Sequence, residues 1–273
     1  MIYRLLHKKI GIKAPEIFSE FESSHPIHDM CYVDKLGFVY LDGDDIKLLK
    51  NKNSDLEFSP DKPIQSPMSL SYNAASNSIY VCGKNGIFEI SLGRGCSVTE
   101  WIVSQAKEEL MRYFRKSEFK GINIDSLGNK VAISSYAINR CFIMWDSELK
   151  VVIGNGHGQY CISSTLKDCS LNWPSDILIY DSNIFFVSDT NNGCIRKFGE
   201  NNTLIAGYPN SGELMPTFMV MDRIKGFLYF LSKNYLNALY LKDRRNSILM
   251  ENENLKALVL GKDNDLFALE ENS

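Results

Sequence analysis

Short apolar runs separated by Asp, Asn, Ser and Gly recur along this chain, and Trp173 to Phe198 shows the pattern most clearly. In WPSDILIYDSNIFFVSDTNNGCIRKF, a Pro leads into Ile177-Leu178-Ile179 and Asp181-Ser182-Asn183 makes a turn. A second run covers Ile184 to Val187, and after a polar loop a third runs from Cys194 to Phe198. Runs this short, bounded by residues that tolerate positive φ or bond their own backbone, predict three antiparallel strands joined by tight turns. Such a meander cannot bury its faces alone and needs neighbours of its own kind.

The second strand of the unit recurs as Phe38–Leu41, Ser78–Val81, Lys130–Ile133, Ile184–Val187, Phe227–Phe230 and Asp265–Ala268. Third positions fall at 40, 80, 132, 186, 229 and 267, so successive spacings are 40, 52, 54, 43 and 38 residues. A period of roughly 40–50 residues built from short strands belongs to propeller blades. The expected fold is therefore all-β: a six-bladed β-propeller, with residues 1–273 forming one domain without an internal linker. The last unit has room for two strands only, Leu255 to Leu260 and Leu266 to Leu269. The apolar stretch Ile2 to Ile10 is expected to complete that blade and so remove the edges of an open ring. One segment departs from the pattern. Val98 to Lys116 spaces Ile102, Ala106, Leu110 and Tyr113 or Phe114 at helical intervals, which predicts a helical insertion near residues 98–117. It reads either as a surface helix covering a blade or as a partner-docking helix, with Arg112, Tyr113 and Arg115 among its contacts.

The third strand often follows Asn, as in Asn85-Gly86, Asn139-Arg140, Asn192-Gly193 and Asn237-Ala238, and two units end alike in Val152-Ile153-Gly154 and Ile205-Ala206-Gly207. In this the chain resembles the NHL repeat family, whose unit runs Pro, apolar strand, Asp, Gly, apolar strand ending in Asp, then Asn, a further strand and Gly. The fourth unit carries Pro174, Asp181, Asp189, Asn192, Ile195 and Gly207. The third keeps Asp125, Gly128, Asn139 and Gly154, with Tyr136 near the acidic place, and the remaining units are eroded. The resemblance implies that the loops Gly154–Gly158 and Asp189–Asn192 share one face. Asn139, His157, Asp176, Asp189 and Asn192 are then candidates for a ligand site in a funnel, or else residues that shape turns and cap loops.

A formal net charge of −3 gives no overall attraction to nucleic acid or anionic lipid, and the local clusters Lys47/Lys50/Lys52 and Lys242/Arg244/Arg245 read as solvated rim. No apolar run approaches the roughly 18 residues that span a bilayer, and the N-terminal run is interrupted by Arg4, His7, Lys8 and Lys9 as a signal peptide is not. Seven cysteines without a Cys-x-x-Cys pair point to packing roles in a reducing compartment, cytoplasmic or otherwise intracellular. His25 and His28 fall on opposite sides of an extended strand and make no metal site. No Gly-x-Ser-x-Gly elbow occurs, and no catalytic residue, cofactor or metal ligand is assigned. The expectation is a non-enzymatic protein-interaction scaffold, a subunit of a larger assembly such as a virion. Its partners are other proteins rather than membrane or nucleic acid, and Tyr113, Phe114, Tyr208 and Tyr235 are candidate anchors. The alternative is a small-molecule hydrolase or lyase, or a ligand-binding propeller, with a metal ion in its central funnel.

Overall fold

The computed structural model describes residues 1–9, 14–49, 60–83, 86–93, 96–101, 113, 119–145, 148–161, 163, 165–199 and 202–272. Strands β1 (Ile2–Lys8) and β2 (Glu16–Glu22) come first in the chain but lie in the last blade. Blade one holds β3 (Ile27–Val33), β4 (Gly37–Asp42) and β5 (Asp45–Leu49) among the described residues. Blade two is β6 (Ser69–Asn73), β7 (Ser78–Gly83), β8 (Gly86–Ser91) and β9 (Ser97–Glu100). Blade three is β10 (Phe119–Ile124), β11 (Lys130–Ser135), β12 (Arg140–Trp145) and β13 (Glu148–Ile153). Blade four is β14 (Pro174–Asp181), β15 (Ile184–Asp189), β16 (Cys194–Phe198) and β17 (Thr203–Gly207). Blade five is β18 (Pro216–Asp222), β19 (Phe227–Ser232), β20 (Tyr235–Tyr240) and β21 (Arg245–Glu251). Blade six orders β2-β1-β23-β22, with β22 (Leu255–Leu260) innermost and β23 (Leu266–Asn272) beside β1. The first strand of each blade touches its counterparts in both neighbours, which closes β3, β6, β10, β14, β18 and β22 into a ring. The protein is an all-β six-bladed propeller.

The second strands are apolar on both faces because each is sandwiched between two neighbouring blades. On β7, Ile79 and Val81 join a core with blade one, whereas Tyr80 and Cys82 join a core with blade three. On β15, Phe185 and Val187 pack toward blade three and Phe186 toward blade five. Period-two alternation thus survives in space, although both halves of it are hydrophobic in sequence. The two unit-ending glycines are required by backbone approach. A Cβ on Gly207 (φ +79°) would lie 2.2 Å from the Gly193 carbonyl oxygen, and one on Gly154 (φ +102°) would lie 2.5 Å from that of Asn139.

In blade six, β1 runs antiparallel to β23 from Ile2↔Asn272 to Lys8↔Leu266. A second strand from the N-terminal region, β2, pairs outside β1, and its polar sequence EIFSEFE carries no run that marks it. The helical expectation near residues 98–117 is corrected at its start. Ser97–Glu100 is β9, the outer strand of blade two, paired with β8 through Ile90↔Val98. Residues 102–112 and 114–118, including Arg112, Phe114 and Arg115, lie outside the described residues. Asn237 also sits inside β20 rather than ahead of it.

Candidate functional site

Connectors between blades and turns between second and third strands emerge on one face of the ring, here the upper face. The last residue of the second strand bolts that face together. Asp42 Oδ1 accepts the His25 N–H (2.8 Å), Asp189 Oδ1 the Asn172 N–H (2.7 Å) and Ser232 Oγ the Met215 N–H (2.8 Å). In each case the donor belongs to the incoming connector, whose backbone would otherwise be left unpaired. In blade three Ser135, not Tyr136, ends the corresponding strand. In blade two the position is Gly83, where a Cβ would meet the Gln65 carbonyl oxygen at 2.8 Å.

The densest part of the upper face lies over blades three and four. Arg196, on β16, is buried at 3% exposure. Its guanidinium donates to the Ser170 carbonyl (2.6 Å), the Cys161 carbonyl (3.0 Å) and Asp189 Oδ2 (3.3 Å), between the rings of Tyr160 and Phe198. Asn192 donates to Asp189 Oδ2 (2.9 Å) and to the Gln159 carbonyl (3.2 Å). Asn139 Oδ1 accepts the Trp173 N–H at 2.8 Å. Burial pushes the Asp189 carboxyl up, and hydrogen bonds from Asn172, Asn192 and Arg196 oppose that push. Of the expected site residues, Asn139, Asp189 and Asn192 do meet here, but they are occupied in fastening the 154–173 connector to the blades. His157 lies exposed on that connector, its N–H bonded to Asn155 Oδ1.

Asp176 lies elsewhere, in the central channel. This cavity of about 360 Å³ is lined by the innermost strands of all six blades, among them Asp29, Lys120, Asn123, Asp176, Met219 and Val259. Asp29 Oδ2 accepts Ser69 Oγ (2.5 Å) and the Leu70 N–H (3.0 Å) of blade two. Asp176 Oδ2 accepts the Met219 N–H (2.7 Å) of blade five, and its Oδ1 accepts the Ile177 N–H (2.8 Å). Ser69 Oγ accepts the Ile122 N–H of blade three, so these side chains form blade-to-blade ties around the channel. Gly121 occupies the matching place in blade three, and a Cβ there would lie 2.6 Å from Asp176 Oδ1. Burial raises Asp29 to about 6 against the hydrogen bonds of Ser69, Leu70 and Met30 and the nearby Lys120. Burial also holds Asp176 well above the ordinary carboxylate range, with Asp29 adding to the rise. Asp29, Asn172 and Arg196 were not anticipated from sequence. Among the described residues no group of three or more His, Cys, Asp or Glu is placed to hold a metal ion.

The proposed aromatic anchors divide. Tyr113 packs against Phe142 (centroids 5.2 Å apart) beneath the Arg140 guanidinium, which makes it part of blade packing rather than a free contact. Tyr235 is half-buried and donates to Glu251 (3.3 Å). Tyr208, on the connector after blade four, is 71% exposed.

Asp42 makes the upper face sensitive to acid. Burial raises its carboxyl, but hydrogen bonds from Lys47, the His25 N–H and Ser24 outweigh this and hold it well below the usual range. A carboxyl held down in the folded state stabilises the fold above about pH 4 and loses that contribution as pH falls further. Asp42→Asn should therefore flatten the acid limb of a stability–pH curve below pH 4; an unchanged limb in a series of urea titrations would refute this.

No family model matches the chain, and no curated protein sequence matches it. Solved structures do share its fold. A streptogramin B lyase is 13% identical with a TM-score of 0.60, and the match covers 99% of this chain and 98% of that one. Virginiamycin B lyase from Staphylococcus aureus, solved with quinupristin, is 14% identical over 97% of this chain and 81% of that one, with a TM-score of 0.60. A propeller in a nidogen/laminin complex is 14% identical over 97% and 84%, with a TM-score of 0.58. At such identities the similarity establishes architecture and leaves chemistry to the residues. Among the described residues no helix is long and apolar enough to cross a membrane.

Proposed function

We propose that this propeller is a protein-binding disc of NHL-like type, a component of a larger protein assembly, and that it docks through its upper face over blades three to five. The observation that carries this reading is Trp173. Its indole is 54% exposed, and its backbone is held at φ +53° by the hydrogen bond to Asn139. A bulky residue in the left-handed region costs of order 1–3 kcal/mol, and surrounding structure must hold it there. Here that structure presents a large aromatic ring to solvent, steadied edge-on by Tyr136 at 6.0 Å. Rigid, outward aromatic groups are the usual anchors of protein interfaces. The surface continues through Asn191 and Asn210, which bond Asn172 and Asn192 across the connectors, to exposed Tyr208 and Met215. The nidogen/laminin neighbour supports the reading by analogy.

The test is a pull-down from the source material with Trp173→Ala beside the wild type and Ile224→Ala, which truncates an exposed residue on the opposite face. Trp173→Ala should stay within about 1 kcal/mol of wild-type stability, as exposed positions do, and lose a stoichiometric protein partner that Ile224→Ala retains. Equal recovery with all three proteins, or none with any, refutes the reading. The end-to-end similarity to a lyase and the polar central channel favour a second reading, a small-molecule hydrolase, lyase or ligand-binding propeller. The donor set does not fit the metal-dependent form of it, because Asp29 and Asp176 both spend their oxygens on backbone N–H groups.

A further inference from the structure

We infer that the outer groove between blades five and six is a docking site for an extended peptide of a partner protein, one in which apolar side chains alternate with Lys or Arg. The groove has a volume of about 520 Å³. Its floor is Leu6, Leu249 and Met250, which belong to the apolar core between the two blades. Its walls are Ile17 on β2 and Ile248 on β21, 60% and 61% exposed. Phe18, the next residue on β2, turns to the other side, edge-on to Phe38 of blade one and Phe267. Ile17, on the opposite face of β2, lines the groove and is exposed there.

Two features select the occupant. Among the described residues both walls are outermost strands, β2 in blade six and β21 in blade five, and each leaves one edge of N–H and C=O groups without a strand beside it. An extended chain satisfies such an edge while placing every second side chain on one face, here the apolar floor. Charge then fixes the intervening residues. The ionisable lining residues are Glu251 and Glu270, and neither forms an ion pair among the described residues. Neighbouring Glu16, Glu20 and Glu271 are each matched by one cation, Lys9, Arg4 and Lys256, so among the described residues the local balance is negative. A basic peptide is attracted by this surface and an acidic one repelled. The site is separate from Trp173 and stands or falls without the upper-face reading.

The experiment uses the full chain and two fluorescein-labelled octapeptides, one alternating Leu and Lys and one alternating Leu and Glu, with binding followed by anisotropy at low salt. The Leu/Lys peptide should bind saturably and at least about tenfold more tightly than the Leu/Glu peptide. Ile17→Lys and Ile248→Lys should each weaken it about tenfold, whereas Ile224→Lys, the same change of charge at an 85% exposed position on another face, should not. All three sites are more than half exposed, and circular dichroism checks that the variants fold. No saturable binding, equal binding of the two peptides, or an equal loss with Ile224→Lys each overturns the proposal.

Discussion

Arg196→Met should destabilise the fold by about 3–5 kcal/mol, the largest effect expected of any single substitution considered for this protein. The methionine keeps the apolar stem between Tyr160 and Phe198 but removes the charge beside Asp189, which is itself fully buried. It also strips hydrogen bonds from the Ser170 and Cys161 carbonyls, so the 154–173 connector loses its main attachment to blade four. A buried carboxylate without its partner costs far more than the pair is worth, because desolvation is no longer offset. Pairing the change with Asp189→Asn should recover part of the loss, since the orphaned charge is then gone. Urea unfolding monitored by tryptophan fluorescence gives both numbers, and limited proteolysis should cut the connector faster in Arg196→Met. A single variant within 1 kcal/mol of wild type would show that the guanidinium is dispensable.

The channel carboxylates should make the protein more stable at pH 5 than at pH 7.5, by an amount that Asp29→Asn removes. Asp29 is raised to about 6 in the folded state. Between about pH 4 and pH 6 the native protein therefore holds a proton that the unfolded chain has released, and stability falls as pH rises through that window. At about 1.4 kcal/mol per pH unit, the full penalty above pH 6 is about 3 kcal/mol. Asp176, raised by the same burial, acts in the same direction. Other groups titrate too, and Asp42 has the opposite sign, so the informative quantity is the difference between wild type and Asp29→Asn at each pH. Asparagine still offers one oxygen to Ser69 and Leu70, so a constant offset of about 1–3 kcal/mol is compatible with the idea. Parallel curves for the two proteins between pH 4 and pH 7.5 would sink it.

How far the sequence foretells this molecule differs between its core and its working surface. All six second strands were legible because burial on both faces gives each an apolar run of three or more residues, as in Phe38–Leu41 within β4 and Phe227–Phe230 within β19. The outer strands were not, because β2 and β21 face solvent and read as ordinary polar sequence. Among the candidate site residues, Asn139, Asp189 and Asn192 come close together because they sit at the turns between second and third strands of adjoining blades three and four. Asp176 lies one strand inward of Asp189, opposite Ser188, and its carboxyl turns into the channel instead of onto the upper face. Arg196 was passed over because a lone arginine in an apolar strand looks like a solvent-facing position. It is buried because Tyr160, Cys161 and Ser170 of the connector close over it against Asp189 and Phe198. Asp29 lay hidden in HPIHDMC for a similar reason: its partners, Ser69 and Leu70, are 40 and 41 residues away.

The seam between β1 and β23 also determines how the ring yields to a mechanical load. Ile2 and Asn272 face each other across that seam, and the two strands run antiparallel away from them. Tension applied through these two residues acts across the ladder and loads one pair of hydrogen bonds at a time. The last blade should therefore peel open at low force, starting at Ile2↔Asn272 and ending at Lys8↔Leu266, before the other blades take any strain. Handles placed instead at the Asp181–Asn183 turn and at Trp145 would pull on interior blades, and the same ring should resist them far longer.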